Sequence, residues 1–383
     1  MRQQIIFYLS ITLLLCFAAL GCTTKPVGVV YNTDTGINTI EPIVLGEIDP
    51  SFNKSAKFIA GLSSEDVEAA PFYGEYCKAA DEGWNRMFAS NRQNIMQWQK
   101  ENLKYDYNKA VFYPFSGPDV LHPLSLYPEL RELVMVGLEP TGGVPDVTHM
   151  NKAELNQLLT AINFTLDHAF FATIDMSKNI KPSSTNGISA IMLFFLSRGG
   201  YDVLSVKEIT LPAVPNARPI KGVEILFADS QAVASGNADV KRVRYLQLDV
   251  GNGSAKMPTL VDFMGRFPKF TCVIKSASYL MHMNHFSQIR DLIFTNCGSI
   301  LQDDTGIPYK KLKNSGSFDI TVFGKYHKPL PIFKEFYQAE LDKDSQAANA
   351  SKLPFVYGYG YGYEDITYHV VLARRKAQKS ADE

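Results

Sequence analysis

The sequence predicts an α/β fold built on a mostly parallel, doubly wound, Rossmann-like sheet, with an α-helical part near the N-terminus. Three observations support this prediction. Short apolar runs rich in β-branched and aromatic residues alternate with longer segments of helical periodicity. The runs are apolar throughout, as expected for strands that are buried on both faces. Gly, Ser, Asp and Pro cluster directly after several of these runs, where turns are expected.

Composition narrows the class of protein further. Of the 383 residues, 46% are hydrophobic, which supports a packed core and excludes a disordered chain. The formal net charge is −1 and no long basic tract is present, so we expect no nucleic-acid partner. The five cysteines form no CxxC or Cys/His pattern, which argues against a zinc site. We favour reduced thiols at Cys272 and Cys297, although a bridge between them stays open.

The first residues have the layout of a secretory signal peptide. Arg2 precedes an apolar run over residues 5–20, and Gly21-Cys22 follows it. The segment resembles a bacterial lipoprotein signal, in which cleavage before the cysteine leaves a lipidated N-terminus. This resemblance implies that residues 1–21 are the signal and that Cys22 carries the lipid, including a palmitate. An uncleaved membrane anchor stays open, because the apolar run falls just short of the roughly 18–20 residues that span a bilayer.

The N-terminal sequence also predicts the domain organisation and the location of the protein. Residues 22–50 are polar and rich in Gly, Pro and Thr, so we predict a lipidated tether there. We predict that residues 51–383 form a single α/β domain. The expected location is the cell envelope, with the membrane as partner through the lipid. Because Thr23 rather than Asp follows Cys22, the resemblance implies the outer membrane if the cell is Gram-negative.

Three segments have helical spacing. The region at about 63–104 contains apolar and aromatic residues at helical intervals and predicts one or two amphipathic helices. A second helix is predicted over residues 152–170, because Asn151 followed by Glu154 is a variant of the capping box. A third is predicted over residues 189–198, where two glycines follow in the C-cap position.

Five apolar runs predict strands, and each leads into a polar turn. In chain order they are KAVFYPF (109–115), ELVMVGL (132–138), GVEILFA (222–228), FTCVIK (270–275) and GSILQ (298–302). The segment 285–296 has helical spacing and fits as the crossover between the last two runs. We expect the runs ending at Phe115, Leu138, Lys275 and Gln302 to be neighbouring parallel strands, with the turns of all five runs on one edge of the sheet.

Ligands of open α/β sheets bind outside the carboxyl ends of the strands, near a switch in strand order. We therefore expect a ligand-binding or catalytic cleft in these turns. The candidate ligand-binding residues are Ser116, Gly117, Asp119, Glu139, Ser276, Tyr279, Asp303 and Asp304. Because loop residues are commonly exposed, we expect Asp119→Asn and Asp304→Asn to cost little stability. Turn chemistry alone also explains each cluster, so a structural or protein-interaction lipoprotein remains the alternative.

A nucleotide-type site is a second alternative. Glu139 follows Gly117 at about the spacing of the ribose-binding acid in dinucleotide-binding folds. The strand–loop–helix–strand–acid order resembles the opening of S-adenosylmethionine-dependent methyltransferases. ITVFGKY (320–326) and HVVLARRK (369–376) resemble their closing antiparallel strands. The loop has a single glycine and Pro118 removes a backbone N–H, so a methyltransferase-like fold is expected to be degenerate. The cofactor stays unknown.

The same loops contain residues that a serine hydrolase or a metal site would use. Ser116 lacks the first glycine of G-x-S-x-G, although His282 and His285 leave a Ser-His-Asp arrangement open. The four carboxylates among the candidate residues would converge on one rim, and oxygen ligands suit Mg²⁺ or Ca²⁺. Their spacing matches no EF-hand, and we expect no metal.

The stretch YGYGYGYED, residues 357–365, alternates tyrosine and glycine. In a strand, this spacing would place four tyrosines on one face, where they stack well on sugar or ring ligands. The alternative is a flexible aromatic loop at the domain surface, which we favour.

Taken together, the motifs resemble an uncharacterised family of bacterial proteins, many of them predicted lipoproteins. The stretches that carry the resemblance are YPFSGPD (113–119), GLEPTG (137–142), KSASYLMH (275–282), FSQIRDLI (286–293), QDDTGIPY (302–309) and LARR (372–375). The resemblance spans roughly residues 113–375. It implies an envelope lipoprotein of unknown activity and assigns no catalytic residue.

We predict that Cys22→Ser releases the protein from membranes or leaves it unprocessed, because the lipid is attached at this cysteine. Membrane fractionation and the mass of the mature chain provide the measurement. Cys16→Ser, which changes only the apolar run, is the matched control and should be processed normally. A Cys22→Ser protein that is cleaved and retained in membranes like the wild type would show that the lipoprotein assignment is wrong.

Overall fold

The computed structural model of the protein describes residues 29–33, 42–63, 71–103, 109–168, 187–348, 353–359 and 368–377. The predicted signal peptide, Cys22 and most of the tyrosine–glycine stretch lie outside these ranges. Within them, no helix combines the length and the hydropathy needed to cross a bilayer.

A large β-sheet forms the centre of the molecule. The strands in chain order are β1 (Val30–Asn32), β2 (Ala110–Tyr113), β3 (Glu132–Gly137), β4 (Tyr201–Leu211), β5 (Ile220–Asp229), β6 (Asn237–Asp239), β7 (Lys241–Gln247), β8 (Phe270–Ile274), β9 (Cys297–Gln302), β10 (Phe318–Gly324) and β11 (His369–Arg375). Nine of them form one sheet in the order β10-β11-β9-β8-β2-β3-β7-β5-β4, while β1 pairs with β6.

Strand direction changes towards both edges of the sheet. The neighbours β9, β8, β2, β3 and β7 are parallel. On one side β11 and β10, and on the other β5 and β4, pair in antiparallel fashion. The α/β class is therefore confirmed, but the sheet is mixed and not purely parallel. The runs ending at Phe115, Leu138, Lys275 and Gln302 are neighbouring parallel strands, as predicted.

Strands β4 and β5 form a long antiparallel hairpin. The connection 212–219 contains three prolines and Asn216 at a φ of 63°, so the chain reverses in a turn instead of crossing over through a helix. As a result the run 222–228 lies antiparallel to β7. Its turn at Asp229 is at the opposite edge from the turns after β2 and β3. The prediction that all five turns share one edge is wrong for this run.

Strand β7 was not predicted, because its sequence KRVRYLQ reads as half charged. Arg242 and Arg244 are buried, and the strand register places them beside Glu132 of β3 and Glu224 of β5. The Nε atom of Arg242 donates to Glu132 at 2.6 Å, and that of Arg244 donates to Glu224 at 3.1 Å. Buried charges persist when they are paired and hydrogen-bonded, so these cross-strand pairs allow a charged segment to form a central strand.

Helices cover both faces of the sheet. They are α1 (Pro50–Ile59), α2 (Pro71–Trp84), α3 (Ser90–Asn102), α4 (Leu121–Leu126), α5 (Lys152–His168), α6 (Ser189–Arg198), α7 (Ser230–Ala234), α8 (Met257–Gly265), α9 (Ser287–Asn296), α10 (Tyr309–Asn314) and α11 (Ala339–Ala347). A π-helical turn, Asn85–Ala89, joins α2 to α3. Helices α1 to α6 pack on one face, and α8 to α11 pack on the other.

The predicted helices are present. Helix α5 begins with the expected capping box, in which Asn151 Oδ1 accepts from the Glu154 N–H at 3.1 Å and Glu154 Oε2 accepts from the Asn151 N–H at 3.0 Å. Helix α6 has the predicted bounds, and α9 is the expected crossover between β8 and β9. Helix α1 was not predicted.

Part of the predicted tether belongs to the packed structure. Residues 30–32 form β1, which pairs in parallel with β6. Ile43 is buried in a small apolar cluster with residues of β4 and β5, and Leu45 and Ile48 pack against it. Burial of these apolar side chains explains why this segment does not behave as a polar linker. The tether predicted over 22–50 is therefore wrong for residues 30–32 and 43–48.

Candidate functional site

All eight candidate residues lie at one edge of the sheet, in the turns after β2, β3, β8 and β9. The structure divides them into four groups, of which the first, Ser116 and Gly117, forms the turn after β2. Asp119 belongs to a buried ionic cluster, and Glu139 contacts a tyrosine of β7. Ser276, Tyr279, Asp303 and Asp304 come together beside a narrow cleft. The carboxylates of these groups differ in their partners: Asp119 has a lysine, whereas the other three accept hydrogen bonds from uncharged groups.

The turn after β2 is fastened to the neighbouring strand. Phe115 and Gly117 have positive φ angles of 63° and 51°. Between them, Ser116 donates from both its N–H and its hydroxyl to the Val136 carbonyl, at 2.9 and 3.1 Å. The hydroxyl of Ser116 is also 2.8 Å from the Gly117 carbonyl. Ser116 therefore holds the turn on β3, and this geometry does not support a nucleophile.

Asp119 is buried and paired, which contradicts the expectation that it is exposed. Its Oδ2 atom lies 3.2 Å from Lys275 Nζ, 2.8 Å from His122 Nδ1 and 3.2 Å from the Tyr113 hydroxyl. Burial acts to raise the pKa of Asp119, but His122 and Lys275 outweigh it and hold the pKa below its usual range. Burial lowers the pKa of His122, so Lys275 is the cation that balances Asp119 at neutral pH.

Glu139 is hydrogen-bonded to a tyrosine of β7. The Tyr245 hydroxyl lies 3.0 Å from Glu139 Oε2 and 3.1 Å from its carbonyl oxygen. Gly137 permits this contact, because a Cβ atom there would lie 2.5 Å from the same hydroxyl. The turn continues onto α6, where the Ser189 N–H donates to the Thr141 carbonyl at 2.9 Å. The acid that the dinucleotide pattern assigns to a ribose therefore has a structural contact instead.

The turn after β8 is strained. Ser276, Ser278 and Tyr279 have φ angles of 53°, 50° and 55°, a region that non-glycine residues rarely occupy. Each such residue costs on the order of 1–3 kcal/mol and persists only when its surroundings hold it. Asp303 Oδ2 accepts from the Ser276 N–H at 2.8 Å, and Thr305 Oγ1 accepts from the Ala277 N–H at 2.7 Å. Concentrated strain of this kind is typical of binding and catalytic sites.

Asp303 and Asp304 form a buried carboxyl pair at the end of β9. Asp303 also accepts from the N–H and the hydroxyl of Thr305, at 2.9 and 2.5 Å, and Asp304 accepts from the Tyr279 hydroxyl. Among the described residues, neither aspartate has a lysine or arginine within ion-pair distance. Burial, together with the charge of Asp304 next to Asp303, raises the pKa of the pair to about 6.

Two histidines face the same pair. His369, the first residue of β11, is only 6% exposed, and its Nε2 atom lies 3.7 Å from Asp304 Oδ1. That nitrogen has no hydrogen-bond partner among the residues that the structure describes. His282 Nε2 lies 3.2 Å from the Asp304 carbonyl oxygen. Burial lowers the pKa of both histidines to about 4, so both rings are neutral at pH 7.

A narrow cleft opens beside Asp304 and His369. Its tyrosines come from four segments of the chain, and they are Tyr279, Tyr326, Tyr357, Tyr359 and Tyr368. The cavity volume is about 30 Å³, which is room for one or two water-sized groups. A wider depression of about 660 Å³ lies beside α10, and no predicted site residue borders it. Of the predicted residues, Tyr279 and Asp304 line the cleft.

The start of the tyrosine–glycine stretch forms one wall of the cleft. The Tyr359 hydroxyl donates to the Ser276 carbonyl at 2.8 Å, and Tyr357 is buried. Gly358 lies so close to Asp303 that a Cβ atom there would be 2.3 Å from Oδ2, and its φ is +77°. For residues 357–359 the interpretation as a surface loop is wrong. Residues 360–365 of this stretch lie outside the described residues.

Sequence reasoning missed two members of this edge. Lys275 ends an apolar run and His369 begins another, so each reads as the boundary of a strand. A cation or an imidazole at the end of an otherwise apolar strand is the signal that could have identified them. His285 does not belong to a Ser-His-Asp arrangement. Its carbonyl accepts from the Asn252 N–H, and its ring lies against Gly251.

The proposed convergence of four carboxylates does not occur. Asp119 and Glu139 contact other partners, and within the described part of the chain no three His, Cys, Asp or Glu side chains are grouped to hold a metal ion. No family model, no curated protein and no solved structure matches the chain. The chemistry of the cleft therefore rests on the carboxyl pair, the neutral histidines and the tyrosines.

We predict that Asp119→Asn lowers the free energy of unfolding by about 3 kcal/mol, because the buried Lys275 then loses the carboxylate with which it forms an ion pair. Urea unfolding at pH 7 provides the measurement. The control is Asp262→Asn, which removes an exposed pair with Arg266 and should cost less than about 1 kcal/mol. Equal costs for the two variants would show that the buried pair does not stabilise the fold.

We predict that the melting temperature of Asp304→Asn, relative to the wild type, rises by roughly 3 °C between pH 4 and pH 7. In the folded protein the pKa of Asp304 is raised from 3.8 to about 6, so protonation stabilises the fold below pH 4 and this contribution is lost as the pH rises to 6. The asparagine does not titrate and loses nothing. The depressed histidines act in the opposite direction but are present in both proteins. A difference that stays flat with pH, as expected for Asp262→Asn, would contradict the prediction.

Proposed function

We propose that the protein is a lipid-anchored protein of the cell envelope whose α/β domain binds a small-molecule ligand in the cleft beside Asp303 and Asp304. One observation carries the binding proposal. A strained turn containing Ser276 and Tyr279 is held against a buried carboxyl pair that lacks a cation among the described residues. Local costs of this kind are retained where function requires them. The N-terminal sequence supports the lipid anchor, with the outer membrane as the location in a Gram-negative cell.

We propose a finer description of the fold as well, a doubly wound Rossmann-like sheet related to the methyltransferase-like fold. From β2 the chain adds β3 and β7 on one side and then β8 and β9 on the other, so the strand order reverses between β2 and β8. Strand β11 lies antiparallel between β9 and β10, which agrees with the resemblance of the closing segments. Ligands of such sheets bind near the reversal, at the carboxyl ends of the strands.

Methyl transfer is not part of this proposal. At the strand reversal, the crevice between the turns after β2 and β8 is crossed by the Asp119–Lys275 ion pair. Glu139, at the end of β3, is held by the Tyr245 hydroxyl. The groups that would meet a nucleoside thus serve the protein's own packing, which supports a degenerate member of this fold class. The cleft beside Asp304 lies next to that crevice, on the β9 side.

We predict that small polar compounds which raise the melting temperature of the full-length protein act through this cleft. A bound ligand stabilises the native state by about 2.7 kcal/mol at a concentration one hundred times its dissociation constant. Screening by thermal shift in detergent should therefore find compounds whose effect is lost in Asp304→Asn and in Tyr359→Phe. The matched control Asp262→Asn should respond like the wild type. Compounds that stabilise all four proteins equally would place the ligand site elsewhere.

A further inference from the structure

We propose that the cleft binds an amine cation, with the ammonium head group held between the Asp304 carboxylate, the His369 ring nitrogen and the tyrosine rings. This inference rests on the ligand-binding function proposed above and names the class of ligand. Four features of the cleft carry it: its charge, the orientation of His369, its aromatic walls and its size.

The charge of the cleft is not balanced by the described residues. Two other buried carboxylates have cations, since Asp119 pairs with Lys275 and Glu132 pairs with Arg242, whereas the single carboxylate of Glu139 accepts from the Tyr245 hydroxyl. Asp303 and Asp304 have hydrogen-bond donors but no lysine or arginine in ion-pair contact among the described residues. Two adjacent buried carboxylates repel each other unless a proton or a cation accompanies them. A ligand that supplies a cation removes this cost on binding.

His369 is an independent indication of a ligand. The side chain is more than nine-tenths buried and lines the cleft, and its Nε2 atom has no hydrogen-bond partner in the described part of the chain. In one tautomer of the neutral ring, this nitrogen is an acceptor. Nε2 and Asp304 Oδ1 are 3.7 Å apart, so one donor group can lie within hydrogen-bond distance of both. An ammonium group has three N–H donors and no acceptor, which suits this pair.

The walls and the size of the cleft favour the same head group. Tyrosine rings attract cations through their negative faces, and this attraction strengthens when the cation is desolvated. Burial raises the pKa of Tyr279 and Tyr326, so both phenols stay neutral beside the carboxylates. The cavity of about 30 Å³ admits a head group and is too small to enclose a sugar ring. The remainder of the ligand would lie outside the cavity, over the partly exposed rings of Tyr359 and Tyr368.

Titratable groups face the head-group position from several elements. Asp303 and Asp304 follow β9, Tyr279 and His282 follow β8, and His369 belongs to β11. Tyr357 and Tyr359 come from the segment 353–359, and Tyr368 precedes β11. After β10, Tyr326 faces the cleft, and His327 and Lys328 line the rim, where both are exposed to solvent.

Lys328 opposes a cation, but solvent screens its charge. The buried carboxyl pair dominates the field, and because its pKa is raised to about 6, protons compete with an amine below that pH.

The test compares charged and neutral probes of similar size on the full-length protein in detergent. Ethanolamine and ethylamine are the amines, while ethylene glycol and ethanol are the neutral probes of matching size, all at matched ionic strength. We expect the amines, and not the neutral probes, to raise the melting temperature at pH 7. Calorimetric affinity for the better amine should fall at least about tenfold in Asp304→Asn, and also at pH 5. Asp262→Asn should bind like the wild type.

The outcomes separate this inference from the proposed function. Stabilisation by a neutral probe that depends on Asp304, with no effect of either amine, would overturn the amine class and leave ligand binding intact. If neither class of probe nor the wider screen gives an Asp304-dependent effect, both proposals fail. Should Asp304→Asn not fold, His369→Phe provides the second variant, since it removes the acceptor and retains the carboxyl pair. Unchanged amine affinity in that variant would count against the inference.

Discussion

The buried ion pair between Asp119 and Lys275 holds together the edge of the sheet that carries the candidate site. It joins the turn after β2 to the end of β8, the two strands between which the order of the sheet reverses. Ser276 follows Lys275 directly, and its N–H binds Asp303 at the end of β9. The position of the carboxyl pair thus depends on a contact made one strand away. Rigid support of this kind holds the strained turn in a conformation that its residues would not adopt alone.

Buried charge serves two purposes in this molecule. Within the sheet, two glutamates and two arginines neutralise one another across neighbouring strands, which allows a charged segment to occupy a central position. The four residues are Glu132, Glu224, Arg242 and Arg244. At the carboxyl edge, the described residues give Asp303 and Asp304 hydrogen bonds but no lysine or arginine partner. The first arrangement is complete without a partner. The second leaves a field that acts on whatever enters the cleft, since charges in a low-dielectric site are weakly screened.

Sequence patterns predicted the parts of the fold that depend on local chemistry. The capping box of α5, the bounds of α6 and the four neighbouring parallel strands follow from periodicity and turn residues. Strand β7 did not, because its charges are neutralised by residues distant in the chain. The direction of β5 depends on a hairpin turn, which a purely apolar run does not reveal.

The candidate site was also predicted only in part. The loops were identified because turn residues follow strands, and this placed Ser276, Tyr279, Asp303 and Asp304 together. His369 and Lys275 were missed, since their role depends on the order in which strands are arranged in space. The expected exposure of Asp119 was wrong for a related reason. A carboxylate in a turn is buried when another strand brings it a cation, and sequence spacing does not encode that contact.

The insertion of β11 between β9 and β10 imposes an order on assembly. Until β11 arrives, β9 presents an open edge and β10 lacks its neighbour in the sheet, so an incompletely folded chain is prone to pair with other chains. His369 reaches the cleft on the same strand. The cleft is therefore complete only when the sheet is complete, and a chaperone that holds this segment would also leave the cleft unformed.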